Sequence, residues 1–435
     1  MKKSFITLFF LIKISTYSFS QTYNYDSKKL LCGPMLSFID NYHTQMWMLV
    51  SSDCKKIRLE LENFDEEITK IINYDITNPN ILNNSKWYDF SISKYNYGNE
   101  IPITINLDEL IPDTEYHVDL FIDNNLIVDD MEIYTPRNYL NDIHFILGHD
   151  LDINDDNDNG DKILEVMIEK KSDFMVWLGN NVNITSNNNS FKEVIEKYKY
   201  IRKRPLVNQF MKSLPHIAIW DYKDYGINTS DNRQSFKDSS LLAFNLFWPN
   251  APKKTYNYTY NDYGVYKKYD YQDVELFLLD NRFFKSSIEL KNPKLLGEKQ
   301  LARFLDEIMS SGATFKFIVC GNSFLTEGSK NNGFKNYENE FNEFIERLHL
   351  SRINGVIIIT SDTKKASVTK LLRDNAYPLY QFSFNGLSND GNNIGEFARI
   401  KIEGGYNKRT LKYEVFDHNN NIVINKNIHE SEIKY

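Results

Sequence analysis

The sequence predicts an α/β protein in which a small β-sandwich precedes a larger domain of alternating strands and helices. From residue 30 to residue 137, apolar residues alternate with period two, which is typical of half-buried strands. From 138 to 395, short and fully apolar segments alternate with helical ones, which indicates a sheet covered on both faces. Residues 396–435 return to alternation and predict edge strands that pack on the second domain.

The first 20 residues have the order of parts of a secretory signal peptide. Lys2 and Lys3 are followed by an apolar run from Phe5 to Ile12 and by a small-x-small site that ends at Ser20. A cytosolic chain with an apolar start is the alternative. No other stretch approaches the roughly 20 apolar residues of a membrane span. We therefore expect a mature chain without a transmembrane segment, exported to the periplasm or to the cell surface and outer membrane.

The charge of the chain argues against a nucleic-acid partner. Its net charge is -8 and its pI is about 5.6, whereas binding to phosphate backbones requires a basic face. Cys32 and Cys54 lie in neighbouring strand-like segments, so in an oxidising compartment they either form a disulfide or remain two buried thiols. Cys320 closes an apolar segment, and we expect it in the core.

The sandwich prediction for residues 21–137 depends on a few segments. Met46–Val50 is an apolar run, and Ile57–Leu61 and Ile101–Leu107 alternate with period two. From Leu110 to Tyr116 the chain reads L-x-P-x-T-x-Y, which resembles the tyrosine corner of fibronectin type III and immunoglobulin-like sandwiches. In that corner the tyrosine hydroxyl bonds back to the chain upstream, so we expect the same of Tyr116.

The second domain, residues 138–395, is predicted from its alternation of elements. The apolar strand segments are Ile143–Leu147, Phe174–Leu178, Ile217–Trp220, Val274–Leu279, Phe315–Cys320 and Gly355–Ile359. The helical stretches between them include Lys162–Lys170, Phe191–Ile201, Leu301–Met309 and Tyr337–Leu348. In residues 396–435 the alternating segments are Ala398–Ile402, Leu411–Phe416 and Ile422–Ile424, and the Tyr-rich stretch Tyr256–Tyr271 predicts a surface hairpin.

Motifs along nearly the whole mature chain resemble those of the PhoD-like (alkaline phosphatase D) metallophosphatases, in that family's order. They are Cys32–Met35, Asp173–Val182, Pro215–Asp231, Leu278–Phe284, Leu296–Leu301, Ala313–Lys316 and Gly355–Asp362. The chain is identified as a divergent member. The resemblance implies a four-layered αββα metallophosphatase domain behind the sandwich. Active relatives hydrolyse phosphate esters at a di- or multinuclear centre that contains iron or calcium, where a metal-activated water attacks phosphorus.

The chain departs from the family pattern at the residues that hold the metals. The family expects Gly-Asp-Asn in the second motif, whereas this chain has Asn180, whose neutral amide cannot supply a charged bridge between two metals. Tyr222 and Lys223 replace the carboxylate and the imidazole of Trp-Asp-Asp-His-Asp, and Lys364 replaces the histidine of Ser-Gly-Asp-x-His. The remaining candidate ligands are Asp150, which ends Gly-His-Asp where the family has Gly-Ser-Cys, together with Asp221 and Asp362.

An ammonium group donates hydrogen bonds and cannot bind a metal, so the lysines decide how this site is interpreted. We expect Lys223 and Lys364 to pair with Asp150, Asp221 or Asp362 and to balance their charge in place of metals. The other retained motif residues are interpreted as structural, although Asp280 and Arg282 also suit a charged pair that shapes the cleft; they are Trp220, Asp224, Tyr225, Gly226, Asp280 and Arg282.

These observations predict a pseudophosphatase that acts as a binding or scaffold subunit of a cell-envelope complex, with other envelope proteins as partners and without a cofactor. The alternative is a phosphomonoesterase or phosphodiesterase with a rebuilt site for calcium or iron. Separately, the acidic stretch Asp150–Asp161 resembles a calcium loop through Asp155, Asn157, Asn159 and Gly160. This stretch lacks the acidic residue that a calcium loop has at its twelfth position, since residue 166 is a valine. The other interpretation is a solvated loop that caps the helix near Lys162.

Overall fold

The computed structural model describes residues 29–63, 68–76, 98–151, 158–184, 190–227, 229–250, 264–328, 332–361, 365–387 and 395–435. The predicted signal peptide lies outside these residues. Within them, no helix has the length and apolar character that a membrane crossing requires.

The N-terminal region forms two antiparallel sheets that enclose a core of their own. Its strands are β1 (Leu30–Leu36), β2 (Thr44–Ser51), β3 (Lys56–Asn63), β4 (Ile68–Asp75), β5 (Glu100–Leu107), β6 (Glu115–Ile122) and β7 (Asn125–Tyr134). One sheet has the order β1-β2-β5 and the other has the order β4-β3-β6-β7. Met46, Met48, Leu59 and Val118 are among the buried residues of this core. The predicted sandwich is therefore present.

The tyrosine corner is also present. Tyr116 is buried at the start of β6, and its hydroxyl oxygen accepts a 2.8 Å hydrogen bond from the backbone N–H of Ile111. This bond reaches back five residues and fixes the loop that leads into the strand.

The rest of the chain alternates strands and helices, as predicted. The strands are β8 (Ile143–Gly148), β9 (Phe174–Trp177), β10 (His216–Ala218), β11 (Lys267–Tyr271), β12 (Val274–Leu278), β13 (Phe315–Cys320), β14 (Val356–Thr360), β15 (Ser367–Arg373), β16 (Ala376–Ser383), β17 (Glu396–Glu403), β18 (Thr410–Asp417) and β19 (Ile422–His429). The helices are α1 (Asp158–Glu169), α2 (Phe191–Lys203), α3 (Pro205–Ser213), α4 (Tyr222–Tyr225), α5 (Lys237–Phe247), α6 (Glu298–Met309) and α7 (Glu338–Leu350). The last part of the predicted surface hairpin forms β11, which pairs with β12. Residues 256–263 of that hairpin lie outside the described part.

These strands form two mixed sheets of six strands each. The first has the order β10-β9-β8-β17-β18-β19, and the second has the order β11-β12-β13-β14-β16-β15. The predicted edge strand is present as β19, but the other two strands of residues 396–435 lie inside the first sheet, because β17 pairs with both β8 and β18 and β18 pairs with both β17 and β19. Alternation alone does not distinguish an edge strand from an interior one, since both have one buried face.

The two sheets pack face to face in the αββα arrangement, with helices on their outer faces. The ring centroids of Phe145 in β8 and Phe317 in β13 are 5.4 Å apart, and Phe382 in β16 stacks on Tyr413 in β18 at 4.3 Å. Both sheets contribute to one continuous apolar core. Burial of this core is the main force that holds the layers together.

The sandwich is joined to this core through one of its own sheets. Trp47 in β2 is buried, and its indole N–H donates a 2.8 Å hydrogen bond to the carbonyl oxygen of Leu246 in α5. The backbone N–H of Gly33 in β1 donates to the side-chain oxygen of Asn208 in α3. Arg202 of α2 lies in the same junction, with its guanidinium 3.9 Å from the ring centre of Trp248.

All three cysteines are buried, unpaired thiols in the structure. Cys32 belongs to the core shared with the large sheets, whereas Cys54 belongs to the core of the sandwich. Burial raises the pKa of each of the two thiols to about 12. The sequence left open either a disulfide between Cys32 and Cys54 or two buried thiols, and the structure has the two buried thiols.

Candidate functional site

The sequence-predicted site residues follow the carboxyl ends of parallel strands. In the first sheet, β8, β9 and β10 are parallel, and they lead into Asp150, Asn180 and Asp221 respectively. In the second sheet, parallel β12 and β13 lead into Arg282 and Asn322. Because the carboxyl ends of parallel strands form one edge of an α/β sheet, these side chains meet in a single cleft, where such folds bind ligands.

Asp150 is paired with a lysine in this cleft. The ammonium nitrogen of Lys223, in α4, lies 2.8 Å from Oδ1 and 2.9 Å from Oδ2 of Asp150. The two side chains are 21% and 11% exposed. The structure therefore contains one of the lysine–aspartate pairs that the sequence predicts, with both carboxylate oxygens directed at the cation.

Asp221 is paired with an arginine rather than with a lysine. Its Oδ1 accepts hydrogen bonds of 2.8 Å from Nε and 2.5 Å from Nη2 of Arg282, and one of 3.2 Å from the amide of Asn281. The pair is almost completely enclosed, because the side chains of Arg282 and Asp221 are only 1% and 3% exposed. A buried carboxylate needs such compensation, since an unpaired charge in this environment is very costly.

Asn180 is held by local contacts in the turn after β9. Its Oδ1 accepts a 3.1 Å hydrogen bond from the backbone N–H of Lys223, and its Nδ2 lies 3.0 Å from Nε2 of His149. Asn180 has a φ of +55°, and Gly179 before it has a φ of +103°. A Cβ on Gly179 would lie 2.5 Å from the backbone nitrogen of Asp221, so this close approach of the two turns requires glycine.

The retained motif residues near the cleft have structural contacts. The buried carboxylate of Asp224 accepts hydrogen bonds from the backbone N–H groups of Asn181, Val182 and Asp221, and burial raises its pKa to about 7. Asp280 accepts a 2.8 Å bond from the indole N–H of Trp220, along with bonds from three backbone N–H groups. Asp224 connects two turns of the first sheet, and Asp280 connects the second sheet to Trp220 of the first.

Of the other predicted positions, Tyr222 lies beside Arg282, and the rest fall outside the described residues or in a helix. Tyr222 begins α4, and its ring centre lies 5.7 Å from the guanidinium carbon of Arg282. Asp362 and Lys364 lie outside the described residues, as do residues 152–157 of the calcium-loop candidate. The helix α1 begins at Asp158, four residues before the predicted start, so Asn159 and Gly160 are helical rather than part of a loop.

The described residues do not fit a two-metal centre. Both oxygens of Asp150 are within hydrogen-bond distance of an ammonium group, and Oδ1 of Asp221 accepts from three donors. A metal ion bound to Asp150 or to Oδ1 of Asp221 would have to displace a cation. Among the described residues, no three His, Cys, Asp or Glu side chains are positioned to hold a metal. No catalytic step through a metal follows from this arrangement.

The part that Arg282 takes in the site goes beyond what its motif predicts. The sequence does indicate a charged group here, because Asp280, Asn281 and Arg282 follow an apolar strand. It does not identify Asp221 as the partner of Arg282, since these two residues are 61 positions apart and follow strands of different sheets.

The chain is similar to known proteins in its sequence pattern and in its fold. A family model described as PhoD-like phosphatase matches residues 159–431. Among solved structures, the chain is similar to the structure of PhoD, with a TM-score of 0.69 and 12% sequence identity, over 93% of this chain and 94% of that one. It is also similar to GAP50, the anchor in the inner membrane complex of Plasmodium, with a TM-score of 0.42 and 12% identity, over 68% of this chain and 90% of that one. No curated protein matches the sequence.

Proposed function

The chain belongs to the PhoD-like phosphatase family, and from that premise we propose that it is a non-catalytic member that keeps the fold for binding. The contact between the Lys223 ammonium and both oxygens of Asp150 carries the proposal. In the family pattern, position 223 is a histidine that faces the metals. Here the side chain at that position brings its own positive charge and occupies the carboxylate that a metal would need.

A second pair supports the same conclusion. Arg282 neutralises Asp221 in the enclosed part of the cleft, at distances of 2.5 to 2.8 Å. Two protein cations thus take over the charge balance at two of the remaining candidate ligands. Asn180, in place of the bridging aspartate, accepts a backbone N–H and adds no charge.

The cellular role that we propose is that of a binding or scaffold subunit of a cell-envelope complex, with other envelope proteins as partners. The signal-like order of residues 1–20 supports export. Cell fractionation of the tagged full-length chain tests this part of the proposal. Recovery of the chain in the periplasm or outer membrane is expected, and retention in the cytoplasm would contradict it.

Metal analysis and ester turnover test the loss of catalysis. The purified chain is assayed on p-nitrophenyl phosphate and on its bis ester, with iron, calcium, zinc and manganese added in turn. We expect no turnover above the metal-only blank. The metal content of the purified chain should be well below one ion per chain. The matched comparison is the triple variant Asn180→Asp, Lys223→His and Lys364→His, which restores three of the family residues and should bind more metal than its parent.

A phosphomonoesterase or phosphodiesterase with a rebuilt metal site is the second candidate. It is favoured by the position of Asp150, Asn180 and Asp221, which still follow adjacent parallel strands. Turnover by the parent chain that is lost in Asp362→Ala, together with about two tightly bound metals, would establish this candidate and overturn the first.

A further inference from the structure

A cavity of about 180 Å³ lies where the sandwich meets the large domain. It is bounded by the turn between β1 and β2, by the end of β5 and by β11 at the edge of the second sheet. None of the residues that line it belongs to the network around Asp150, Asp221 and Arg282. The cavity is therefore a feature separate from the cleft.

The size of the cavity limits its occupant to one small group. A cavity of about 150 Å³ accommodates a single benzene ring, whereas sites for drug-sized ligands measure about 300–1,000 Å³. This cavity therefore admits one flat ring or head group, such as the end of a side chain. The side chains of Asp40 and Asp270 in its lining are 38% and 68% exposed, so the group can enter from the surface.

The lining carries more negative than positive charge. Its acidic and basic side chains are three carboxylates and one ammonium group, those of Asp40, Asp108, Asp270 and Lys268. The ammonium nitrogen of Lys268 lies 3.0 Å from Oδ1 of Asp270 and 3.3 Å from Oε1 of Glu275, which stands outside the lining. One cation is thus shared between two carboxylates and does not neutralise the lining.

The described charges around the lining leave this excess in place. The ammonium nitrogen of Lys70 lies 3.5 Å from the carboxylate of Glu109, and it donates to the backbone carbonyl of Asp108. Nδ1 of His43 lies 3.1 Å from Oδ1 of Asp40, and a protonated imidazole there would offset one of the three carboxylates. The lining would still be negative, so a cation is the complementary occupant.

Aromatic and amide groups in the lining favour a guanidinium over an ammonium group. Phe38 and Tyr269 both line the cavity, and their ring centroids are 4.7 Å apart. A planar guanidinium stacks on aromatic rings and presents five N–H donors, whereas an ammonium group is compact and strongly hydrated. Gln45 and Asn106, which are joined by a 2.8 Å hydrogen bond, add amide groups beside the carboxylates. The lining suits a flat cation with several donors.

We propose that this cavity binds the guanidinium group of an arginine side chain that a partner protein presents. Arginine is enriched among the residues that dominate the energy of protein interfaces, and such residues typically fill a pocket on the opposite surface. The size, the charge and the aromatic lining of the cavity match one such side chain. Because the cleft takes no part, the inference goes beyond the proposed function and does not depend on whether the cleft is catalytic.

Ligand-observed NMR titration of the purified full-length chain tests the site with three blocked amino acids. These are the N-acetyl methylamides of arginine, lysine and citrulline, the last of which has the shape of arginine without its charge. Saturable binding of the arginine probe is expected. The citrulline probe should bind at least about tenfold more weakly, because hydrogen bonds to charged groups are the stronger ones. The lysine probe should have an intermediate affinity.

Two substitutions in the lining should change the affinity for the arginine probe in opposite directions. Asp40→Asn keeps an acceptor for the backbone N–H groups of Tyr42 and His43 but removes the charge, and it should weaken binding by about tenfold. Lys268→Met removes the competing cation and should tighten binding by roughly fivefold, a gain that a misfolded chain would not show. Asp374→Asn is the matched control, since it makes the same charge change in the exposed turn after β15, at the other edge of the second sheet.

Each outcome supports or overturns the site. Absence of saturable binding of the arginine probe, or equal binding of the citrulline probe, overturns it. A lysine probe that binds as tightly as the arginine probe overturns the assignment to a guanidinium. Equal weakening in Asp374→Asn also overturns the site, since the effect would then follow from net charge alone.

Free L-arginine distinguishes the source of the guanidinium. A preference of about tenfold for the free amino acid over the blocked probe would overturn the partner protein as its source. Turnover of phosphate esters with about two bound metals overturns the proposed function, but it leaves the result of these titrations unchanged.

Discussion

The cleft and the junction with the sandwich each bury an arginine, and the two arginines are compensated in different ways. Arg282 in the cleft binds the carboxylate of Asp221. Arg202 in the junction contacts the sulfur atoms of Met35 and Met211 and donates to the carbonyl oxygen of Phe247. Within the described residues, no carboxylate pairs with Arg202.

The comparison shows two reasons to bury a cation: Arg282 balances the charge of a carboxylate, whereas Arg202 contributes packing. Burial of Arg202 lowers its pKa to about 9, because neutral sulfur, carbonyl and indole groups replace its water without supplying an opposite charge. Its planar guanidinium over Trp248 fills the junction. Arg282 instead neutralises a carboxylate that would be buried without it. Removal of the two charges should therefore have very different consequences.

The largest effect is expected for Arg282→Met. The substitution leaves Asp221 buried without its cation, and loss of one partner of a buried pair typically costs about 3–5 kcal/mol. The free energy of unfolding in urea measures this cost. The double variant Arg282→Met with Asp221→Leu should recover much of it, because it removes both charges. A single variant as stable as the wild type would show that the pair is not buried as described.

Lys285 should produce the next largest effect, as a dependence of stability on pH. Its pKa is about 7 in the folded chain, against 10.5 for a solvated lysine, so between pH 7 and 10.5 the unfolded chain binds the extra proton. Stability therefore rises with pH across this window, by roughly 2–4 kcal/mol for a shift of this size, and the penalty is complete below pH 7.

Urea unfolding at pH 7, 8, 9 and 10 measures this rise, and Lys285→Met should remove its share of it. Lys316→Met is the control, because burial lowers the pKa of Lys316 only to about 8 and its window is shorter. Equal slopes in the wild type and in Lys285→Met would contradict the prediction.

How much was predictable from the sequence differs between the fold and the site. The strand Phe315–Cys320 was predicted to the residue, because most of its side chains are apolar and helices flank it. The helix α5 was not predicted, since apolar residues surround most of its circumference and give little amphipathic contrast. The strand β15 was missed because its side chains are partly exposed and include polar ones.

The site was predictable where the contact follows from one motif. Lys223 was expected to pair with an aspartate because it replaces a residue that faces the metals, and Asp150 is its partner in the structure. The network that connects Arg282 with Lys285 was not predictable, since Asn322 and Asn332 join them only through hydrogen bonds between the turns after β12 and β13. No periodicity or short motif encodes such a convergence.

A smaller effect is expected for the pair between Lys223 and Asp150, which is partly exposed. Asp150→Asn removes the charge but keeps the shape, and solvent screening limits the cost to about 1 kcal/mol. Its dependence on salt distinguishes it from the buried pair, because added salt should reduce this cost and leave that of Arg282→Met almost unchanged. A cost above that of Arg282→Met would reverse the comparison.

The smallest net effect is expected for Arg202→Met, although Arg202 is as buried as Arg282. The variant loses the hydrogen bond to Phe247 and the contact with Trp248, but it also removes a cation that no carboxylate of the described residues compensates. These contributions oppose each other, so stability should change by no more than about 1 kcal/mol, as when a buried charge is replaced by an apolar group of similar volume. Arg202→Lys is the informative control, because it keeps the charge but loses the planar contact, and it should cost more than Arg202→Met. The reverse order would mean that the charge of Arg202, rather than its packing, holds the junction together.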